Sequence, residues 1–126
     1  YNTITDVISW VNGGHQPALL RDKNGKFEQV ESAAPPMGVI QQKNKSLYKI
    51  NRTKLNGKRF YAFTDGLSES LDSKGNEIGI EGSIKIIEKN FNDDVSKQLS
   101  NIAKDVEKSS GKNKLSDDLT LIAIGK

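Results

Sequence analysis

The sequence predicts an α+β domain that is mostly antiparallel sheet in its first half and carries two helices in its second half. Before residue 66, short apolar runs alternate with glycine-containing turns, as expected of strands joined in antiparallel order. After Gly82, apolar residues recur at helical spacing in two stretches. A chain of 126 residues is long enough to bury a core of its own, and we treat it as one domain or a large part of one.

Turn signals delimit the strands of the first half. Three apolar runs form a predicted meander, at residues 7–11, 18–21 and 26–30. A stiff connector with two prolines follows at 32–38, and shorter strand-like segments are predicted at 39–40 and 47–50. Asn56-Gly57 is the strongest hairpin signal in the chain, and it leads into a central, buried strand that ends at Asp65.

The second half changes from the period of a strand to that of a helix. Residues 67–77 are polar and predict a surface loop, and Ser83 is the predicted N-cap of a first helix with Ile84, Ile87 and Phe91 on its apolar face. A second helix is predicted to begin near Asn92, with an apolar stripe at Val95, Leu99, Ile102 and Val106. A loop at 104–114 and a buried strand at 115–125 complete the chain.

Composition excludes several classes of function. Nineteen basic and sixteen acidic residues leave a net charge of +3, and the basic residues are interspersed without an aromatic-basic run, so we expect no nucleic-acid partner. The absence of cysteine excludes disulfides and thiolate metal sites and suits a cytoplasmic location. No apolar segment is long enough to span a bilayer, so we expect no membrane contact by this domain.

Asp65 is the first candidate for a functional site. It follows the apolar run Phe60–Phe63, which would hold its carboxylate on rigid backbone at the end of a sheet. The neighbouring Gly66 has no Cβ and would let a ligand or metal approach closely. The alternative is an ordinary turn, because Asp-Gly is among the commonest turn dipeptides.

A second acidic position lies at the start of the last predicted strand, at Asp117 and Asp118. If this strand is an antiparallel neighbour of the strand that ends at Asp65, the carboxylates can share a hard cation such as Mg²⁺ or Mn²⁺. The alternative is a solvated turn with no ligand. The single histidine, His15, could be a base or a ligand, but its position beside two glycines favours a turn or packing role.

Four segments resemble one bacterial family in both order and spacing. They are 11–20 (VNGGHQPALL), 35–39 (PPMGV), 63–69 (FTDGLSE) and 116–121 (SDDLTL). Together they resemble SpoIIE/RsbU-like phosphatases of the metal-dependent PPM class, which is related to protein phosphatase two C. The resemblance extends over nearly the whole chain and implies a layered α-β-β-α sandwich of two antiparallel sheets with two C-terminal helices.

The resemblance also implies an activity and its site. Two Mn²⁺ or Mg²⁺ ions would activate a water that attacks phosphoserine or phosphothreonine directly, on a phosphorylated regulatory protein such as an anti-sigma-factor antagonist. Asp65 and Asp117 match metal ligands that act through this metal-bound water. Asp118 matches a position where relatives tolerate Asn, so it ranks below Asp117. His15 matches a position that is His in this branch and Asp in the wider class.

One part of the family pattern has no counterpart. An N-terminal Gly-Asp motif bridges the metals in the family, but the only acid before residue 20 is Asp6, in another context. We therefore interpret residues 1–126 as the C-terminal portion of such a domain with its N-terminal part missing. It is expected to be inactive alone and to self-associate through uncovered sheet edges. Two alternatives remain open: a catalytically inactive phosphatase-fold module in protein-protein signalling, and a binding domain unrelated to phosphatases.

Overall fold

The computed structural model describes residues 1–30, 34–40, 48–110 and 118–125, and it confirms the α+β class. The strands within these residues are β1 (Val7–Trp10), β2 (Ala18–Arg21), β3 (Phe27–Val30), β4 (Asn51–Lys54), β5 (Arg59–Phe63) and β6 (Leu121–Ile124). The helices are α1 (Asp65–Ser68), α2 (Gly79–Lys89) and α3 (Val95–Ser110). No helix in this part of the chain is both long enough and apolar enough to cross a membrane.

The chain divides into two compact units, Tyr1–Phe60 and Tyr61–Lys126. β1 and β4 form a two-stranded sheet, and the strand order of the four-stranded sheet is β3-β2-β5-β6. The boundary between the units falls within β5, so this strand contributes residues to both.

Strand pairing in the first unit differs from the predicted meander. β2 and β3 do form an antiparallel hairpin, in which Ala18 lies opposite Val30 and Arg21 opposite Phe27. β1, however, pairs antiparallel with β4. The β2–β3 turn is specified by adjacent residues, whereas the β1–β4 pairing joins segments that are distant in sequence. The meander was therefore wrong for β1, because local turn chemistry carries no information about distant partners.

The predicted turn at Asn56-Gly57 is present, but the predicted hairpin is not. Both residues have positive φ, +48° and +81°, and the backbone N–H of Lys58 donates to the carbonyl of Leu55 at 2.8 Å. β4 and β5 nevertheless belong to different sheets. Asp6 holds the β4 end, since its carboxylate accepts the N–H of Asn56 at 2.7 Å and its carbonyl accepts the N–H of Leu55 at 2.9 Å.

The strands predicted at 39–40 and 47–50 do not form. Residues 37–39 are in a turn, in which Gly38 has a φ of +86° and the N–H of Val39 lies 3.4 Å from the carbonyl of Pro36. Residues 48–50 have no regular structure, and Leu47 lies outside the described residues. A positive φ within this short segment turns the chain and removes the extended conformation that an apolar pair would otherwise favour.

Helices α2 and α3 supply much of the core of the second unit, and their boundaries differ from those predicted. Ile87, Ile102 and Val106 are buried, as the apolar stripes predicted. Ser83 is not an N-cap but lies inside α2, where its hydroxyl donates to the carbonyl of Gly79 at 2.8 Å. Helix α3 continues to Ser110, through much of the predicted loop, and residues 111–114 of that loop lie outside the described residues.

The segment after Asp65 is more structured than the predicted surface loop. It begins with the short helix α1, whose Leu67 is completely buried. Ser70 is also buried, and its hydroxyl donates to the carbonyl of Gly66 at 2.7 Å. The final strand, β6, is in turn less buried than predicted, because Ile122 remains 51% exposed. Alternate residues of a strand point to opposite faces, so an apolar run need not be buried on both.

Candidate active site

The end of β5 lies beside the start of β6, as the metal-site interpretation required. The backbone N–H of Thr64 donates to the carbonyl of Thr120 at 3.0 Å. The hydroxyl of Thr64 donates to the carbonyl of Asp118 at 3.0 Å and accepts the N–H of Thr120 at 2.9 Å. Thr64 therefore makes three hydrogen bonds, two as donor and one as acceptor, that join the segment carrying Asp65 to the segment carrying Asp118.

Gly66 adds a close backbone contact on the other side of Asp65. A Cβ at this position would lie 2.6 Å from the carbonyl oxygen of Asp118 and 2.9 Å from its carbonyl carbon. Such a distance is too short for any side chain, so the glycine is required by the approach of Asp118. The space predicted for a ligand at Gly66 is thus occupied by the backbone of the neighbouring segment.

The candidate ligands that the structure describes are Asp65 and Asp118, both with exposed side chains. Asp117 lies outside the described residues, so its role stays a prediction. No group of three or more His, Asp or Glu side chains within the described residues is placed to hold a metal. The donors present do fit a hard divalent cation in kind, because they are carboxylates on two segments fastened to each other. Two carboxylates would supply only part of the ligand set of such a cation.

His15 belongs to a turn organised by Asn12. The side chain of Asn12 accepts the N–H of His15 at 2.8 Å and donates to the carbonyl of His15 at 2.9 Å. The imidazole is exposed, and its Nδ1 lies 3.1 Å from the carbonyl oxygen of Gln16. These contacts support the turn role that the sequence favoured.

Asp72 follows the candidate site in sequence, but its carboxylate shapes its own turn. Its Oδ1 accepts the N–H of Lys74 at 2.8 Å and that of Asn76 at 2.9 Å. These hydrogen bonds, that from Asn76 foremost, lower the pKa of the Asp72 carboxyl below its usual value. Asp22 forms the same arrangement in the turn between β2 and β3, where its Oδ1 accepts two backbone N–H groups. Both acids are explained by local structure.

Sequence reasoning proposed Asp65, Asp117 and Asp118 as ligands but missed the contribution of Thr64. The available signal was its position: a hydroxyl residue between a buried strand and an Asp-Gly pair can reach the backbone of a neighbouring strand. Gly66 was expected to allow the approach of a ligand or metal, but the group that lies close to it is the backbone of Asp118. Neither contact can be recognised until the two segments are known to be neighbours.

Comparison with solved structures shows that the fold is shared with PP2C phosphatase domains. The SiaA-PP2C domain of Pseudomonas aeruginosa aligns with a TM-score of 0.78 at 14% identity, over 97% of this chain and 47% of that one. The PP2C phosphatase domain of SpoIIE from Bacillus subtilis, with a fragment of its regulatory domain, aligns with a TM-score of 0.72 at 16% identity, over 96% of this chain and 34% of that one. The Mn-presoaked SpoIIE phosphatase domain from the same organism gives 0.67 at 14% identity, over 98% and 52%.

The chain spans between about a third and about half of the length of these structures. In a comparison with individual curated proteins, no sequence matched significantly. The family model for Stage II sporulation protein E (SpoIIE), by contrast, matches residues 1–126. Whole-length agreement with one family model, together with a PP2C-like fold, establishes the relationship: this chain belongs to the SpoIIE family of phosphatase domains.

Proposed function

We propose that this chain is the C-terminal portion of a metal-dependent protein serine/threonine phosphatase domain. Its substrate would be phosphoserine or phosphothreonine on a regulatory protein, such as an anti-sigma-factor antagonist, in the bacterial cytoplasm. One observation carries the proposal. On either side of Asp65, Thr64 is hydrogen-bonded to the backbone of Asp118 and Gly66 leaves room for it, in a chain that matches the SpoIIE family model over its whole length.

The residues have distinct roles in this proposal. Asp65 and Asp117 are the principal ligands of Mn²⁺ or Mg²⁺, and Asp118 is a secondary one. When bound, the cations supply an acidified water and neutralise charge on the phosphoryl group. The protein's own contribution is positional: β5 is largely buried and gives Asp65 a rigid base, while the contacts to Asp118 hold the second acidic segment beside it.

The ligand set within this chain is incomplete under the proposal. Mg²⁺ and Mn²⁺ take about six oxygen donors, several of which are waters, and they depend on ligand number and geometry. Two or three carboxylates would bind them weakly. We therefore propose that a preceding segment supplies the bridging carboxylate, and that residues 1–126 alone hydrolyse phosphoesters negligibly. The second candidate is a catalytically inactive signalling module, favoured by the lack of a three-residue metal cluster in the described part of the chain.

The test compares the 126-residue chain with a version extended at its N-terminus, using p-nitrophenyl phosphate and a phosphoserine peptide with and without Mn²⁺. Turnover is expected only from the extended protein with Mn²⁺, and Asp65→Asn should abolish it. Asp22→Asn is a matched control, because an amide oxygen can still accept the N–H groups of Asn24 and Lys26. An extended protein that binds Mn²⁺ without turnover would support the inactive module. Normal turnover by the Asp65 variant would refute the site.

A further inference from the structure

We propose that Thr64 is a positioning residue whose hydroxyl sets the separation between the two acidic segments of the metal site. The proposal rests on the proposed function and deepens it, because it assigns a role to a residue that is not itself a ligand. Thr64 would act through the backbone of Asp118, and its effect would be seen in how tightly a divalent cation is held between Asp65 and Asp118.

The hydroxyl of Thr64 makes contacts that its backbone cannot make. The backbone N–H of Thr64 donates to the carbonyl of Thr120 where the end of β5 meets the start of β6. The hydroxyl extends this contact two residues further, because it donates to the carbonyl of Asp118 while accepting the N–H of Thr120. One small side-chain oxygen must here donate one hydrogen bond and accept another. Only the hydroxyls of serine and threonine do this.

Gly66 reinforces the same contact by close packing. The carbonyl oxygen of Asp118 accepts a hydrogen bond from the Thr64 hydroxyl and lies 2.6 Å from where a Cβ on Gly66 would be. Asp65 lies between these two residues in sequence. Its neighbours on both sides therefore lie close to the backbone of Asp118: Thr64 is hydrogen-bonded to it, and Gly66 leaves it no room for a side chain.

The location of the contact indicates that it mainly positions the two segments and adds little to the stability of the fold. The side chains of Asp118 and Thr120 are exposed and Thr64 is only half-buried, so the contact buries little apolar surface. Hydrogen bonds that orient metal ligands from outside the coordination sphere typically change metal affinity about 10- to 100-fold. We therefore expect loss of the hydroxyl to weaken cation binding while leaving the core of the unit intact.

The experiment uses the full 126-residue chain with four substitutions. Thr64→Val removes the hydroxyl and keeps the shape of the side chain. Thr64→Ser keeps the hydroxyl and should behave like the wild type. Thr53→Val is the matched control, because the Thr53 hydroxyl has only a 3.5 Å contact with the carbonyl of Lys54. Gly66→Ala disturbs the same contact with the hydroxyl present, and provides a second test if the valine variant does not fold.

Two readouts are followed by NMR: hydrogen exchange of the Thr120 amide, and line broadening of the amides at 65–66 and 118–120 during titration with Mn²⁺ alone. Thr64→Val should accelerate exchange at Thr120 and require about 10-fold more Mn²⁺ for equal broadening. Gly66→Ala should also raise the Mn²⁺ requirement, and Thr64→Ser and Thr53→Val should follow the wild type.

The outcomes separate this inference from the proposed function. If the wild type responds to Mn²⁺ and Thr64→Val responds at the same concentrations, the positioning role is refuted and the metal site stands. If a folded Gly66→Ala variant also titrates like the wild type, the position of the Asp118 backbone does not affect the affinity for Mn²⁺. If the wild type shows no site-specific broadening up to millimolar Mn²⁺, the metal site in this chain is refuted, and the inference with it.

Discussion

The hydroxyl of Tyr61 donates a 3.1 Å hydrogen bond to Oε1 of Gln98, and both residues are completely buried. The Nε2 of Gln98 in turn donates to the carbonyl of Ile87 at 3.2 Å. One glutamine on α3 thus connects β5 with α2. Because a buried amide is stable only when its partners are in place, this link specifies how the elements of the second unit pack.

The first prediction concerns that link. Tyr61→Phe should lower the free energy of unfolding by about 1 kcal/mol, because the amide oxygen of Gln98 loses a buried donor. Urea denaturation followed by circular dichroism measures the change. Tyr48→Phe is the control, since its hydroxyl bonds the carbonyl of Pro35 in a half-buried position and should matter less. A larger loss at Tyr48 would show that the buried link contributes little.

The second prediction ranks the two adjacent acids. Asp117→Asn should abolish Mn²⁺-dependent turnover in the N-terminally extended protein, because it removes the negative charge of a principal ligand. Asp118→Asn should reduce turnover by less than about tenfold, since the proposal gives Asp118 only a secondary part in holding the cation. Steady-state kinetics across Mn²⁺ concentrations measure both. Greater sensitivity at Asp118 would mean that the assignment is displaced by one residue.

The third prediction tests whether Asp72 completes the metal site. Asp72→Asn should leave the Mn²⁺ response of the chain unchanged, because the oxygen of Asp72 is used by the N–H groups of Lys74 and Asn76, and an amide oxygen can replace it. The same NMR titration measures this, with Asp65→Asn as the positive control. A weakened response in the Asp72 variant would identify this loop as a further source of ligands.

The fourth prediction is a dependence of stability on pH. The ammonium of Lys89 hydrogen-bonds both carboxylate oxygens of Asp105, at 3.0 and 2.9 Å, and this contact, followed by one from Asn90, lowers the pKa of Asp105. A lowered folded-state pKa gives stability that is present above the ordinary pKa of 3.8 and lost as pH falls through the folded value. Lys89→Met should therefore cost about 0.5 kcal/mol near pH 7 and much less once the pH has fallen through the lowered pKa of Asp105.

The matched control for this prediction is Lys85→Met on the exposed face of the same helix. Its unfolding free energy should follow that of the wild type at both pH values. If the two variants lose the same stability at pH 7, the Lys89–Asp105 pair does not contribute to folding.

The fifth prediction concerns self-association, which we propose occurs through β6. Within the described residues β6 is an outer strand of its sheet, and its Ile122 is 51% exposed. An apolar strand at a sheet edge tends to pair with another chain. Sedimentation velocity should show association that increases with concentration, and Ile122→Lys should reduce it. Ile50→Lys, at an exposed isoleucine outside the strands, should not. A clean monomer over a wide concentration range would refute the proposal.

Features set by adjacent residues were predictable from the sequence. The turn at Asp22–Gly25 indicated the β2–β3 hairpin, and the apolar stripe of α3 indicated its buried face. The partner of β1 was not predictable, because no local signal distinguishes β4 from β2. The N-terminal boundary of α2 was misjudged because Ser83 is a good N-cap type, although the helix begins at Gly79 with a φ of +62°.

The candidate site was predicted in part for the same reason. Asp65 could be identified because an apolar run ends there in an acid and a glycine. The meeting of the ends of β5 and β6 was a conditional expectation, and the hydrogen bonds of Thr64 confirm it. The contacts of Thr64 could not be predicted, because its hydroxyl pairs with backbone groups of Asp118 and Thr120, which lie more than fifty residues away in sequence.

The contact between Asp6 and Asn56 has a consequence for how this chain folds. The two residues are fifty positions apart, so closing the loop between them before other structure forms carries a large entropic cost. The β2–β3 hairpin lies within that loop and depends only on its own turn, and hairpins of this kind form within about 1–10 μs. Once formed, it shortens the effective loop. We therefore expect the hairpin to form before β1 pairs with β4, and the β1–β4 contact to limit the rate of folding of the first unit.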